Sequence, residues 1–120
     1  MDLTKSILED VRAGLGLSSD ISDFDTDLIM LINSSLATLN QNGVGTGISI
    51  QDTTTTWGDF KNELQVIGNE YFHLVPTFVT LSCKVIFDPP PPSAVEYFKQ
   101  TIDQMLWRLK IAYEETEETL

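Results

Sequence analysis

Apolar residues recur at helical spacing along several stretches of this chain, separated by segments too polar, or too rich in glycine and proline, to continue a helix. Leu3, Ile7, Leu8 and Val11 share one face of a helix over about residues 3–13, with Asp2 as its N-cap and Gly14 and Gly16 ending it. Residues 18–27 read as a polar, acidic turn anchored to the core by Phe24. A second helix begins near Asp25, whose side chain suits an N-cap, while Asp27 suits the helix dipole. Leu28, Leu31, Ile32, Leu36 and Leu39 form its buried stripe, and Gly43 after Asn42 is a left-handed stop.

Residues 43–47 contain three glycines and cannot be helical. Ile48 and Ile50 then alternate with Ser49 and Gln51, the period of a short strand whose open edge needs a partner in this chain or on a neighbouring subunit. Thr56-Trp57-Gly58-Asp59 opens a third helix in the manner of a capping box, and Phe60, Leu64 and Ile67 give that helix its face. Residues 71–87 are aromatic and β-branched with Pro76 inside them, so local propensity favours a strand while the spacing of Tyr71, Leu74, Val75, Phe78, Leu81 and Val85 fits a helix equally well. Asp88 and the prolines 89–92 form a stiff hinge. Ser93-Ala94-Val95-Glu96 is a capping box for the last helix, whose stripe is Val95, Phe98, Ile102, Met105, Leu109 and Ala112, widened by Leu106 and Tyr113. Trp107 is expected to be buried against the other helices.

A chain of 120 residues is the size of one domain, residues 1–120, and a chain this short often hides apolar surface by oligomerising. Nothing near the N-terminus reads as a signal peptide, and no stretch is apolar enough to span a bilayer, so no membrane partner is expected. A single cysteine, Cys83, excludes an internal disulfide and reads as a small buried apolar group, at home where thiols stay reduced.

Charge changes the picture more. Seven basic residues against eighteen acidic ones give 7 − 18 = −11, with no Lys or Arg between Arg12 and Lys61. Such a chain repels phosphate backbones, which argues against sequence-specific nucleic-acid binding. It suits either a surface past which DNA slides or an acidic inhibitor that mimics DNA. Asp20, Asp23, Asp25 and Asp27 crowd the first turn, but a calcium loop over them would put Leu28 or Asp25 where a glycine belongs, so no metal is expected. One histidine, His73, lies in the most apolar segment and reads as a structural residue. No serine has a nucleophile-elbow context, and residues 43–47 lack the Lys and Ser/Thr of a phosphate loop. No catalytic residue, cofactor or enzyme activity is expected.

Five short pieces in order carry a resemblance: Asp27-Leu28-Ile29 with Ile32-Asn33; Asn40 with Gly43-Val44; Thr56-Trp57 with Asp59-Phe60; Phe87-Asp88-Pro89-Pro90; and Trp107-Arg108-Leu109. Over roughly residues 3–115 the chain resembles the head-tail connector (adaptor) proteins of tailed bacteriophages; the longer proline run, Pro91 and Pro92, and Pro76 depart from the family's pattern. The resemblance implies an all-α fold: a small helical bundle with a long loop, admitting a short β-strand, between the second and third helices, and a helix over residues 70–87. It also implies a non-enzymatic virion protein, assembled in the host bacterial cytoplasm. Its partners would be copies of itself in a ring, usually dodecameric, the portal protein above and a head-completion or tail protein below. Under that reading Val44, Ile48 and Ile50 are candidates for the subunit contact, and Asp20, Asp23, Asp25 and Asp27 for a DNA-facing surface. The acidic tail over residues 113–120, with Glu114, Glu115, Glu117, Glu118 and Leu120, is expected to be mobile when free and to reach the portal, because its charges oppose each other and the helix dipole.

Overall fold

The helix ends are set by local chemistry that the sequence only partly announces. In the computed structural model, which describes residues 4–18, 20–45, 49–59 and 73–119 and side chains as far as Glu114, the helices are α1 (Ile7–Gly14), α2 (Asp25–Gln41), α3 (Leu74–Phe87) and α4 (Pro92–Thr119). A single 3-10 turn spans Trp57–Asp59, and the described residues contain no strand. The fold is an all-α bundle, as expected. The third helix expected through Phe60, Leu64 and Ile67 lies outside the described residues.

α1 starts later than expected, at Ile7 instead of near Leu3. Ser6 is its N-cap, with the Glu9 N–H donating to Ser6 Oγ at 3.3 Å. The chain just before it is engaged elsewhere: Ser6 and Thr56 form an antiparallel bridge, with Ile7 N–H donating to the Thr55 carbonyl at 3.0 Å and Trp57 N–H to that of Lys5 at 3.2 Å. Both α1 and α2 then end the same way. Gly16 and Gly43 take positive φ, 79° and 80°, and the next N–H reaches back over the last turn: Leu17 to Arg12 O and Val44 to Leu39 O, both at 2.9 Å. This closure satisfies two orphan carbonyls and drops the following apolar side chain onto the helix. Val44 is accordingly fully buried, beside the buried Leu39.

Asp25 does not cap α2. The N-cap residue is Phe24, without a side-chain hydrogen bond, and the Asp25 carboxylate is held by Arg12, whose Nε donates at 2.9 Å and whose Nη2 donates as well. A two-point guanidinium–carboxylate pair is stronger than a cap to one backbone N–H, which decides the competition. That pair ties α1 to α2. Phe24 is not buried as an anchor; it is 42% exposed and meets Phe87 edge to face at a ring separation of 5.2 Å.

The segment around Pro76 is helical. Leu74, Val75, Phe78, Val79 and Cys83 are its buried residues, at helical spacing. Pro76 is the third residue of α3, where the missing N–H would have no intrahelical partner in any case, so the helix is not broken. His73 precedes the helix, at its N-cap position, and is exposed. α3 packs against α1, α2 and α4. Its approach to α1 is close: a Cβ at Gly14 would lie 2.6 Å from Thr80 Cγ2. Trp57, buried completely, fills the core alongside Ile7, Leu8, Leu28, Ile32, Leu36, Leu39 and Ile50.

α4 begins at Pro92, one residue before the expected capping box, since proline is pre-shaped for the first helical position. Leu109, Ala112 and Tyr113 are buried and Ile102, Met105 and Leu106 pack half-buried on the core, as the stripe requires. Trp107 is the correction. It is 64% exposed, because it stands two residues from both Met105 and Leu109 and so points roughly opposite to them.

Burial pushes the Cys83 thiol from its ordinary 9.0 up to about 11, against a smaller opposing pull from a hydrogen bond with Ser35. The folded state therefore keeps that proton longer than the unfolded chain does. The resulting stability is complete below the unfolded value and is lost as pH rises from 9.0 through about 11. Denaturant melts at about pH 8 and pH 11 should show wild type losing up to about 2 kcal/mol more than Cys83→Ala across that interval. Equal losses would show that the thiol does not titrate this way.

Candidate interaction surfaces

The loop between α2 and the 3-10 turn is held from inside. Asn33, on α2, accepts the Ile50 N–H on Oδ1 at 2.7 Å and donates from Nδ2 to the Ile50 carbonyl at 3.0 Å. One side-chain amide thus supplies both hydrogen bonds that a neighbouring strand would have given. The open edge expected at Ile50 is absent for that reason, and Ile50 is not in a strand. Its side chain is buried in the core, as is that of Val44, so neither presents surface to a neighbour. Ile48 lies outside the described residues.

Short polar contacts shape the rest of the loop. Asp52 accepts from the Thr54 N–H at 2.8 Å and from its hydroxyl at 2.5 Å, and these bonds hold the Asp52 carboxyl below its ordinary value. Thr56 N–H donates to Asp59 Oδ2 at 2.9 Å, the reciprocal half of the expected capping box. Trp57 Nε1–H donates to Asp10 Oδ2 at 2.9 Å, and Lys5 lies 3.4 Å from the other oxygen of the same carboxylate.

In the acidic turn, Asp20, Asp23 and Asp27 are exposed, whereas Asp25 is half-buried in its pair with Arg12. The Ser18 hydroxyl donates to Asp20 and lowers its pKa. Among the described residues no three metal-ligating side chains converge. Ile21 and Phe24 are exposed within this turn, and Met30, 67% exposed, continues the patch along α2.

The outward side of α4 is a surface that the periodicity argument missed. Tyr97 and Trp107 are 69% and 64% exposed, and Ile111 is half-buried on the same side. The signal was present: positions 97, 100, 104, 107 and 111 step by three and four, a second stripe opposite the core stripe. Lys99, Arg108 and Lys110 flank it together with Glu96, Asp103 and Glu114, all exposed. Between α2, α3 and α4 runs a groove of about 240 Å³, with Leu31, Phe78, Ile86, Ile102 and Leu106 among its walls and Asp103 at its rim. Glu114 is exposed, and the α4 backbone stays helical through Thr119; the side chains of Glu115, Glu117 and Glu118, and all of Leu120, lie outside the described residues. No helix among the described residues is long and apolar enough to cross a membrane.

Among the described residues this geometry offers surfaces: a clamped loop, an acidic turn with apolar neighbours, and an aromatic helix face of mixed charge. Comparison with known families agrees with that character. The family model described as phage connector protein matches residues 7–116, from the first residue of α1 to near the end of α4. No curated protein and no solved structure matches the chain.

Proposed function

The chain belongs to the phage connector protein family, and on that footing we propose that it is an adaptor subunit that forms a ring beneath the portal, with DNA passing through the ring. The family is structural, so the protein is a virion component with a connector-type role. The observation that carries the finer reading is the family match over residues 7–116, which spans the bundle from α1 into the last turns of α4.

Physical features support it. A net charge of −11 repels the DNA backbone, so the polymer moves past without adhering. A ring requires head-to-tail contacts between two unlike faces of each subunit. The tail from Glu114 to Leu120 is the segment proposed to reach the portal, where a basic groove would neutralise its glutamates.

The test is co-assembly. The purified chain, mixed with the portal protein of the same phage and imaged by electron microscopy, should add a ring of density below the portal, with twelve subunits the expected number. Portal particles that gain no density, or that gain isolated subunits without a closed ring, would defeat the proposal.

A further inference from the structure

Asn42-Gly43 is the single Asn-Gly pair in the chain. In an open chain such a pair modifies itself: the glycine nitrogen attacks the side-chain carboxamide, and glycine brings no Cβ to hinder the approach. Here the pair sits where α2 ends, Asn42 as its C-cap and Gly43 at φ 80°. Burial does not shield it, since Gly43 is exposed and Asn42 is half-buried. Hydrogen bonds hold it instead. Asn42 Nδ2 donates to the Thr38 carbonyl at 2.8 Å, the same acceptor that takes the Asn42 N–H at 3.2 Å. Gly43 N–H donates to Asn40 O at 3.1 Å and Val44 N–H to Leu39 O at 2.9 Å.

These bonds keep the reacting atoms apart. Attack needs Cβ of Asn42 and the Gly43 nitrogen on the same side of the Cα–C bond. At ψ 12° that nitrogen nearly eclipses the backbone nitrogen of Asn42, and Cβ stands a third of a turn away. Turning ψ to bring them together breaks the Gly43 and Val44 hydrogen bonds and draws Val44 out of the core, where it is fully buried. We propose that Asn42 is a one-way modification site, kept as an amide by the closed end of α2 and converted when that end opens. The Gly43 nitrogen attacks Asn42 Cγ, the Cγ–Nδ2 bond breaks, and the proton from the Gly43 nitrogen leaves with Nδ2 as ammonia. Water then opens the cyclic imide at either carbonyl, leaving aspartate or its β-linked isomer. Neither product restores the helix end. A carboxylate lacks the donor that Asn42 offers Thr38 O, and it adds negative charge at the negative end of the α2 dipole. The β-linked form also lengthens the backbone inside the Val44 closure.

The test compares the full chain folded in buffer with the same chain unfolded in guanidinium chloride, at one mildly alkaline pH and one temperature. Trypsin cuts after Arg12 and Lys61, so mass spectrometry of the peptide from Ala13 to Lys61 reads the change from amide to acid at Asn42 over days. The folded chain should convert at least about tenfold more slowly, by a factor set by how rarely the helix end opens. Val44→Ala removes the buried anchor of the closure and should speed conversion in the folded chain at least about threefold, with the unfolded rate unchanged. Val11→Ala takes the same groups from the core on α1 and should speed it less. Asn42→Asp should melt below wild type. Circular dichroism checks that each variant folds, and the wild-type comparison with Asn42→Asp decides the proposal even where a valine variant fails to fold.

Conversion as fast in the folded chain as in the unfolded one overturns the proposal, because the helix end then holds nothing back. So does an Asn42 that stays unconverted in denaturant. A Val44→Ala rate equal to that of wild type, or matched by Val11→Ala, removes the closed end of α2 as the guard. An Asn42→Asp chain that melts like wild type removes the carboxamide from the helix end. No step needs a partner, so the inference stands or falls apart from the adaptor reading.

Discussion

Replacing Trp57 by alanine should cost about 3–5 kcal/mol, the range for emptying a large aromatic site in a packed core. The indole is fully buried, while the bridge between the loop and the start of α1 uses the Trp57 backbone N–H, which alanine keeps. The indole's Nε1–H bond to Asp10 is lost with it, though the Asp10 side chain keeps 27% exposure and water can replace that donor. The larger loss is therefore packing, not the hydrogen bond. At a few degrees per kcal/mol for a domain of this size, the melting temperature should fall by roughly 10–20 °C. Trp107→Ala is the matched comparison and should stay within about 0.5 kcal/mol of wild type in the monomer, as exposed positions do. If the two tryptophans respond alike, the assignment of one to the core and the other to the surface is wrong.

Asn33→Leu should be the next most damaging change, at about 2–4 kcal/mol. Leucine keeps most of the volume and removes both hydrogen bonds to Ile50, leaving a donor and an acceptor at a residue that is only 2% exposed. Each backbone group left without a partner costs about 1–3 kcal/mol, and local opening to water moderates the sum. The loop should loosen before the bundle does. Amide exchange at Ile50 should accelerate by more than the global loss of stability accounts for, and exchange in the middle of α3 should not. Unchanged exchange at Ile50 would show that the Asn33 amide is not what holds the loop.

Helices α1, α2 and α4 and their core stripes were legible in the sequence, because a stripe at helical spacing leaves few other ways to bury apolar surface. Gly16 and Gly43 were legible as stops for a similar reason: few other residues accept a positive φ cheaply. The residues around Pro76 were undecided between strand and helix, since β-branched and aromatic residues suit either when buried. Family resemblance pointed to a helix, and in the structure the burial of Leu74, Val75, Phe78, Val79 and Cys83 along one face bears this out.

Other features depended on contacts between residues far apart in the chain, which periodicity does not encode. Ile50 looked like an open strand edge because its partner is a side-chain amide seventeen positions earlier. Asp25 looked like an N-cap because the competing guanidinium sits thirteen positions away, on another helix. Trp107 looked like core because tryptophan usually is, and a two-residue offset from Met105 and Leu109 outweighed its chemistry. By itself, then, the sequence determined where α1, α2 and α4 lie and a strongly acidic composition, and with the family resemblance it gave the all-α class. Only the tertiary structure decided which polar groups pair across elements and which aromatic faces remain outside, because both depend on how the helices are set against one another.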